Sequence, residues 1–308
     1  MSLEKSYAVD LSDEDLSKIQ PICRPPNDCK KLIASVLLIS FSYYITAIAT
    51  VIAHSRMPKE NKQLPDVILD NVNLRSWALD ISEGILMLLI VVVILIAVLH
   101  KHRCCIIRRI LVILSIITLL RCLTMTLTSL PGTRPSYRMC KDKYQKLSDI
   151  LYRAFIIVER GGMVRNGVYT CGDYIFSGHT VTLVSLTMLI VDYTPKYCRS
   201  MHFILWTSSF IAIILIIVGH EHYTVDVLLA FYITVQAYLH YHHLADNLNN
   251  RNSNLPMQRR ILDVFYPIVK YFEGNVQGCI PNEFELPERL IFISNLKDFL
   301  CRISPIRK

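Results

Sequence analysis

Charge is missing where a water-soluble domain would carry it. Leu32 to Ala53 holds no Asp, Glu, Lys or Arg over 22 residues. At about 1.5 Å of rise per residue such a run crosses the ~30 Å hydrocarbon core. Charged residues make up only 19% of the 308 and mean hydropathy is +0.37. A soluble fold of this size would not segregate its charge in this way. No CxxC pair or zinc-like spacing occurs among the ten cysteines, which argues against a structural metal. No Asn-x-Ser/Thr sequon, internal repeat or low-complexity tract is present, and no early apolar stretch reads as a cleavable signal. The net charge of +8 does not imply nucleic acid, because the basic residues are scattered over span-flanking loops without an aromatic-interleaved patch.

What is there is a series of apolar runs, at roughly 32–53, 79–99, 108–129, 175–192, 202–219 and 223–243. The expected fold is all-α, a polytopic membrane protein with six transmembrane helices at 32–243. Tails are expected at 1–31 and 244–308. Lys101, Arg103, Arg108 and Arg109 crowd one short loop, Lys30 and Lys31 precede the first run, and Lys196 and Arg199 follow the fourth. The loop between the fifth and sixth runs has neither Lys nor Arg. Positive residues favour the cytosol, so both tails are expected there. Loop 130–174 is long, and LPGTRPSYR within it reads as turn. In the second tail, RRILDVFYPIVKYF reads either as an in-plane amphipathic helix interrupted near Pro267 or as a small packed helix.

Two clusters of chemistry fall at span ends on the other side. One is CGDYIFSGHT, with Asp173, Ser177, Gly178 and His179; the other is HEHYTVD, with His220, Glu221, His222 and Asp226. In a helix, His222 and Asp226 share a face, so the carboxylate is expected to accept from one ring nitrogen and leave the other as nucleophile or base. His179 supplies the complementary acid. Ser177-Gly178 opens a helix, whose unpaired N–H groups and positive dipole end suit a phosphate, and Gly178 permits close approach. This pattern fits phosphoryl transfer through a phosphohistidine, with no metal or other cofactor. An isolated histidine at a span end is usually interfacial; two with an aspartate on one membrane face are expensive and point to function. Arg121, mid-run, reads either as a phosphate ligand or as a partner of Glu83 or Asp80. His220 reads as a bystander. Cys140 and Cys171 fall on the same side, where either a disulfide or two thiols fits.

CGDYIFSGHTVTL and HYTVDVLLAFYIT closely resemble the third and fourth signature motifs of the sphingomyelin synthase family, within the lipid phosphate phosphatase superfamily. QLPD, from Gln63 to Asp66, looks like the end of its first motif, and Arg108, Arg109, Arg121 and Thr128 like parts of its second. Lys62 and Gln63 stand where the family's first motif has prolines, and Thr118 where its second has a tyrosine. The resemblance implies cytosolic tails and an exoplasmic site in a Golgi, plasma or endoplasmic reticulum membrane. It implies His222 as nucleophile on the donor phospholipid, Asp226 orienting it, and His179 assisting departure of diacylglycerol. Ceramide would be the acceptor. Asp173, Ser177, Gly178, Glu221 and Arg121 would contact substrate. Glutamate at 221 resembles the ethanolamine-transferring relatives, aspartate the choline-transferring ones. The competing reading is a lipid phosphatase using water; its Lys-x6-Arg-Pro motif is absent upstream of both Arg24-Pro25 and Arg134-Pro135. Oligomeric state stays open.

Overall fold

A computed structural model describes residues 29–57, 63–133, 144, 146–162, 174–249, 264–274, 276 and 284. Its regular elements are helical: α1 (Cys29–Arg56), a 3-10 turn (Leu69–Asn71), α2 (Ser76–Leu99), α3 (Arg103–Leu127), α4 (Leu147–Glu159), α5 (Gly178–Asp192), α6 (Arg199–Val218), α7 (Thr224–Asn249) and α8 (Tyr266–Glu273). Among the described residues the only strand-like pairing is one isolated bridge, His100 with Phe284.

Four helices, α1, α2, α3 and α6, are long and apolar enough to cross a membrane. The apolar α5 has only 15 residues. The chain divides into two compact units. One comprises 28–241 with 282–308, and the other 1–27 with 242–281.

In the larger unit α1 packs along α3, and α2 lies against α6 and α5. Ser and Thr side chains make this packing compatible with lipid surroundings. Within α1, Ser42 donates to the Leu38 carbonyl (2.7 Å) and Thr50 to that of Thr46 (3.0 Å). Between helices, Ser82 of α2 donates to the Ala212 carbonyl of α6 (3.0 Å), and Thr187 of α5 meets Ser209 of α6 at 2.5 Å. Such small polar contacts hold helices together where no water drives them to associate.

Two elements depart from the sequence expectation. The loop 130–174 contains α4, which seats Ala154 and Ile157 against Ala47 and Val51 of α1. In the smaller unit, Pro267 sits in the first turn of α8 and starts the helix. That position needs no backbone N–H, so proline is tolerated there.

Candidate active site

The Ser-Gly-His turn is built from the N-terminus of α5 outward. Ser177 is the N-cap, its hydroxyl accepting from the Thr180 N–H at 3.3 Å. Phe176, fully buried, adopts φ of +38°, a left-handed conformation that costs a residue with a Cβ. Its carbonyl accepts from Nε of Arg121 at 2.9 Å. The guanidinium lies over Gly178 so closely that a Cβ there would sit 3.1 Å from Cζ. Gly178 therefore makes room for a cation at the positive end of α5, and together they form an anion-favouring corner.

The second cluster is a braced loop. α7 begins at Thr224, so His222 precedes the helix and the expected helical pairing with Asp226 does not form. Asp226 turns its carboxylate to the Tyr223 N–H (3.2 Å), and its main-chain carbonyl accepts from the Ser177 N–H (3.4 Å). That bond ties the two clusters together. Among the described residues, His222 Nδ1 has no hydrogen-bond partner. The His222 ring packs edge-on to Tyr174, whose main chain also hydrogen-bonds it.

Burial holds the His222 pKa well below the usual histidine value, and the charges of Arg121 and His179 push it the same way. The Tyr174 main-chain bond opposes them. The buried site thus favours the neutral imidazole at His222.

Outer loops grip this segment. His220, expected to be a bystander, is a brace. Its φ is +49°, its Nε2 donates to the Val72 carbonyl (2.8 Å), and its own carbonyl accepts from the Thr133 hydroxyl (2.5 Å). Tyr223 donates to the Pro131 carbonyl (3.1 Å) and accepts from the Leu64 N–H (3.2 Å).

Asp66 caps α7 from another loop, accepting the Thr224 N–H (2.7 Å) and hydroxyl (2.8 Å). Partial burial works against its charge, but the donors from Thr224, Leu69 and Ile68 outweigh it and hold its pKa below the usual carboxylate value.

His179, one residue into α5, points its Nε2 at Oε1 of Glu83 on α2, 3.5 Å away. Glu83 is fully buried. His179, His222, Glu221, Arg121, Gly178 and Tyr174 all line one cavity of about 550 Å³, within the size range of small-molecule sites. The structure thus brings together both histidines, Arg121, Ser177, Gly178 and Glu221, with Asp226 one step behind. Asp173, Cys140 and Cys171 lie outside the described residues.

Two contributors escaped the sequence reading. Glu83 left a signal, a lone carboxylate in the apolar stretch ISEGILMLLI, but its partner on α5 is a tertiary fact. Asp66 was noticed only as part of QLPD. Conversely, Arg109, grouped by resemblance with Arg121, lies at the other end of α3, where it bonds the Tyr193 hydroxyl (3.1 Å).

Residues 170–244 carry both of the loops that close on this cavity, and that same stretch matches the model of PAP2 superfamily C-terminal domains. That segment is therefore PAP2-like. Over a wider span the chain is 38% identical along 262 residues to human sphingomyelin synthase-related protein 1, covering 83% of this chain and 61% of that protein. It is 34% identical along 253 residues to phosphatidylcholine:ceramide cholinephosphotransferase 2 of Macaca fascicularis, covering 80% and 68%. To human phosphatidylcholine:ceramide cholinephosphotransferase 1 it is 31% identical along 266 residues, covering 85% and 64%. The chain belongs to the sphingomyelin synthase family. It spans about three fifths of the length of human sphingomyelin synthase-related protein 1.

Proposed function

We propose that the protein is a ceramide phospho-head-group transferase, moving phosphocholine or phosphoethanolamine from a glycerophospholipid to ceramide and releasing diacylglycerol. The observation that carries this reading is the meeting of His222 and His179, from separate segments, in one cavity beside the Arg121–Gly178 corner. Similarity to relatives named as cholinephosphotransferases supports the substrate classes.

In this reading the donor phosphate rests against Arg121 and the start of α5. Neutral His222 attacks phosphorus, forming an N–P bond as the P–O bond to diacylglycerol breaks. Protonated His179 gives its proton to that leaving oxygen. The ceramide primary hydroxyl then loses its proton to His179 and attacks the phosphohistidine, breaking the N–P bond and restoring both histidines. Glu83 faces Nε2 of His179 at 3.5 Å and fixes the direction of its ring. Asp226 positions His222 through the turn it caps, and Asp66 holds that turn from outside.

The protein crosses the membrane six times on this proposal. α5 and α7 supply the two crossings beyond the four helices that qualify by length and composition. Tails face the cytosol, and the site faces the exoplasmic side of a Golgi, plasma or endoplasmic reticulum membrane.

Cell-free expression into liposomes with fluorescent ceramide tests the reading. Phosphatidylcholine and phosphatidylethanolamine are offered separately. A head-group product from at least one donor is expected, and none from either sinks it. Donor breakdown that proceeds equally without ceramide would make the protein a lipid hydrolase.

A further inference from the structure

The cavity wall carries hydroxyls that head-group chemistry leaves unused. Ser40, Thr46 and Thr50 of α1 line it, with Thr118 of α3 and Thr182 of α5. Every one of these is already committed as a donor to main chain. Ser40 donates to Val36 (2.9 Å), Thr46 to Thr118 (3.3 Å), Thr50 to Thr46 (3.0 Å), Thr118 to Leu114 (2.6 Å) and Thr182 to Gly178 (3.0 Å). A hydroxyl has one proton and two lone pairs. With the proton spent on a carbonyl, what each of these side chains presents to the cavity is an acceptor.

The position of this wall matters. Thr118 lies one helical turn from Arg121, so about 5 Å separates their levels along α3. Thr46 bonds to the Thr118 carbonyl and is 6% exposed; Thr50, one turn further along α1, is 4% exposed. From Thr50 to Ser40 the cavity follows α1 for ten residues, about 15 Å, or half the ~30 Å hydrocarbon core. That is the depth of one leaflet.

The two lipids of the proposed reaction differ in one relevant way. Next to its reacting primary hydroxyl, a ceramide carries an amide N–H and a secondary hydroxyl, both donors. A diacylglycerol carries two esters there, which only accept. This row of Thr acceptors matches the first, whereas the esters of the second offer the Thr oxygens no donor.

We propose that Thr46, Thr50 and Thr118 form an acceptor-lipid subsite that recognises the N–H and O–H donors of an N-acyl amino alcohol and discriminates against diacylglycerol backbones. The inference rests on the transferase reading for its substrate, and adds which side chains choose the acceptor. One consequence is directional: released diacylglycerol competes poorly with ceramide for the phosphorylated enzyme.

The test uses the full chain in liposomes with ceramide, N-methylceramide and 3-deoxyceramide as acceptors. Each lost hydrogen bond is expected to raise the acceptor KM about fivefold to tenfold. Wild-type protein that discriminates less than twofold among the three overturns the subsite, with no mutant needed. Thr46→Val with Thr50→Val should raise the ceramide KM at least tenfold, erase the preference for ceramide over N-methylceramide, and leave the phospholipid KM within twofold. Thr50→Ser, which keeps the oxygen, should retain the preference. Equal rises in both KM values would overturn the proposal. A binding arm separates this inference from the reaction itself, by labelling the chain with photoactivatable ceramide or photoactivatable diacylglycerol. Ceramide-selective labelling that the Val variant loses, in a protein making no head-group product, would keep the subsite and sink the transferase. Equal labelling by both lipids would sink the subsite.

Discussion

Both ends of the helical bundle bury histidine, arginine and tyrosine, yet they differ in kind. At the end opposite the cavity, Arg109 bonds the Tyr193 hydroxyl, Tyr238 bonds Asp192 (2.8 Å), and Thr194 meets His202 (2.8 Å). His100 accepts from the His102 N–H (3.0 Å) and stacks edge-on against Tyr193 and Phe284. These groups knit chain to chain. At the other end, His179 and His222 share a cavity wall with Arg121. Buried titratable groups at a span end therefore do not define a site by themselves. What distinguishes the site is that its groups face an open cavity of about 550 Å³ while their backbones are braced from behind.

The largest expected break in this contrast is His222→Ala. It should lower transfer by about a thousandfold or more while the purified protein stays folded, because Ala removes the proposed nucleophile and leaves the Asp226 and Asp66 bonds in place. Activity persisting in this variant would overturn the histidine mechanism. Glu83→Gln removes the charge opposite His179 and should cost about tenfold to a hundredfold in kcat, with a smaller change in KM, read from initial rates.

Gly178→Ala is sharper because the new Cβ meets a flexible guanidinium at 3.1 Å. Arg121 gives way, so the donor KM should rise several-fold with little change in stability. A large loss of stability would mean that the corner is structural. Tyr193→Phe tests the other end. It should cost about 1 kcal/mol, a few degrees of thermal midpoint, with kcat/KM per folded molecule intact.

The smallest effect expected is in pH. His222 has a depressed pKa, so the acid limb of its activity should fall below the ordinary histidine value of about 6.5. Arg121→Gln removes a positive charge and should move that limb upward in the residual activity. A limb that stays put would show that Arg121 does not set the proton affinity. The same sign holds for stability. A neutral buried histidine disfavours protonation, so the fold should lose stability as pH drops below about 6.5.

Much of this molecule was legible in its sequence because periodic and local features are local facts. The uncharged run at 32–53 and the Ser-Gly-His helix start both appear where expected. Three features were not legible. The start of α7 at Thr224 depends on Asp66, 158 residues away, capping it. Without that cap in view, His222 read as helical. Glu83 was legible only as one of two carboxylates, with Asp80, that could partner Arg121 if Arg121 did not bind phosphate, since nothing local tells which group a membrane carboxylate meets. His220 seemed idle because its partners are a carbonyl at Val72 and a hydroxyl at Thr133. In each case the missing information was a contact between segments far apart in the chain.

The length of α5 has a further consequence. Fifteen residues reach only about 22 Å, well short of the ~30 Å hydrocarbon core. On the six-crossing proposal, with Asp192 at the cytosolic boundary, Ser177 and His179 stand several ångströms beneath the opposite one. The donor phosphate must then sink below the plane of its neighbours to react. In the proposed mechanism such a short helix acts as a depth gauge: it would hold the reacting phosphate away from bulk water and so favour transfer over hydrolysis.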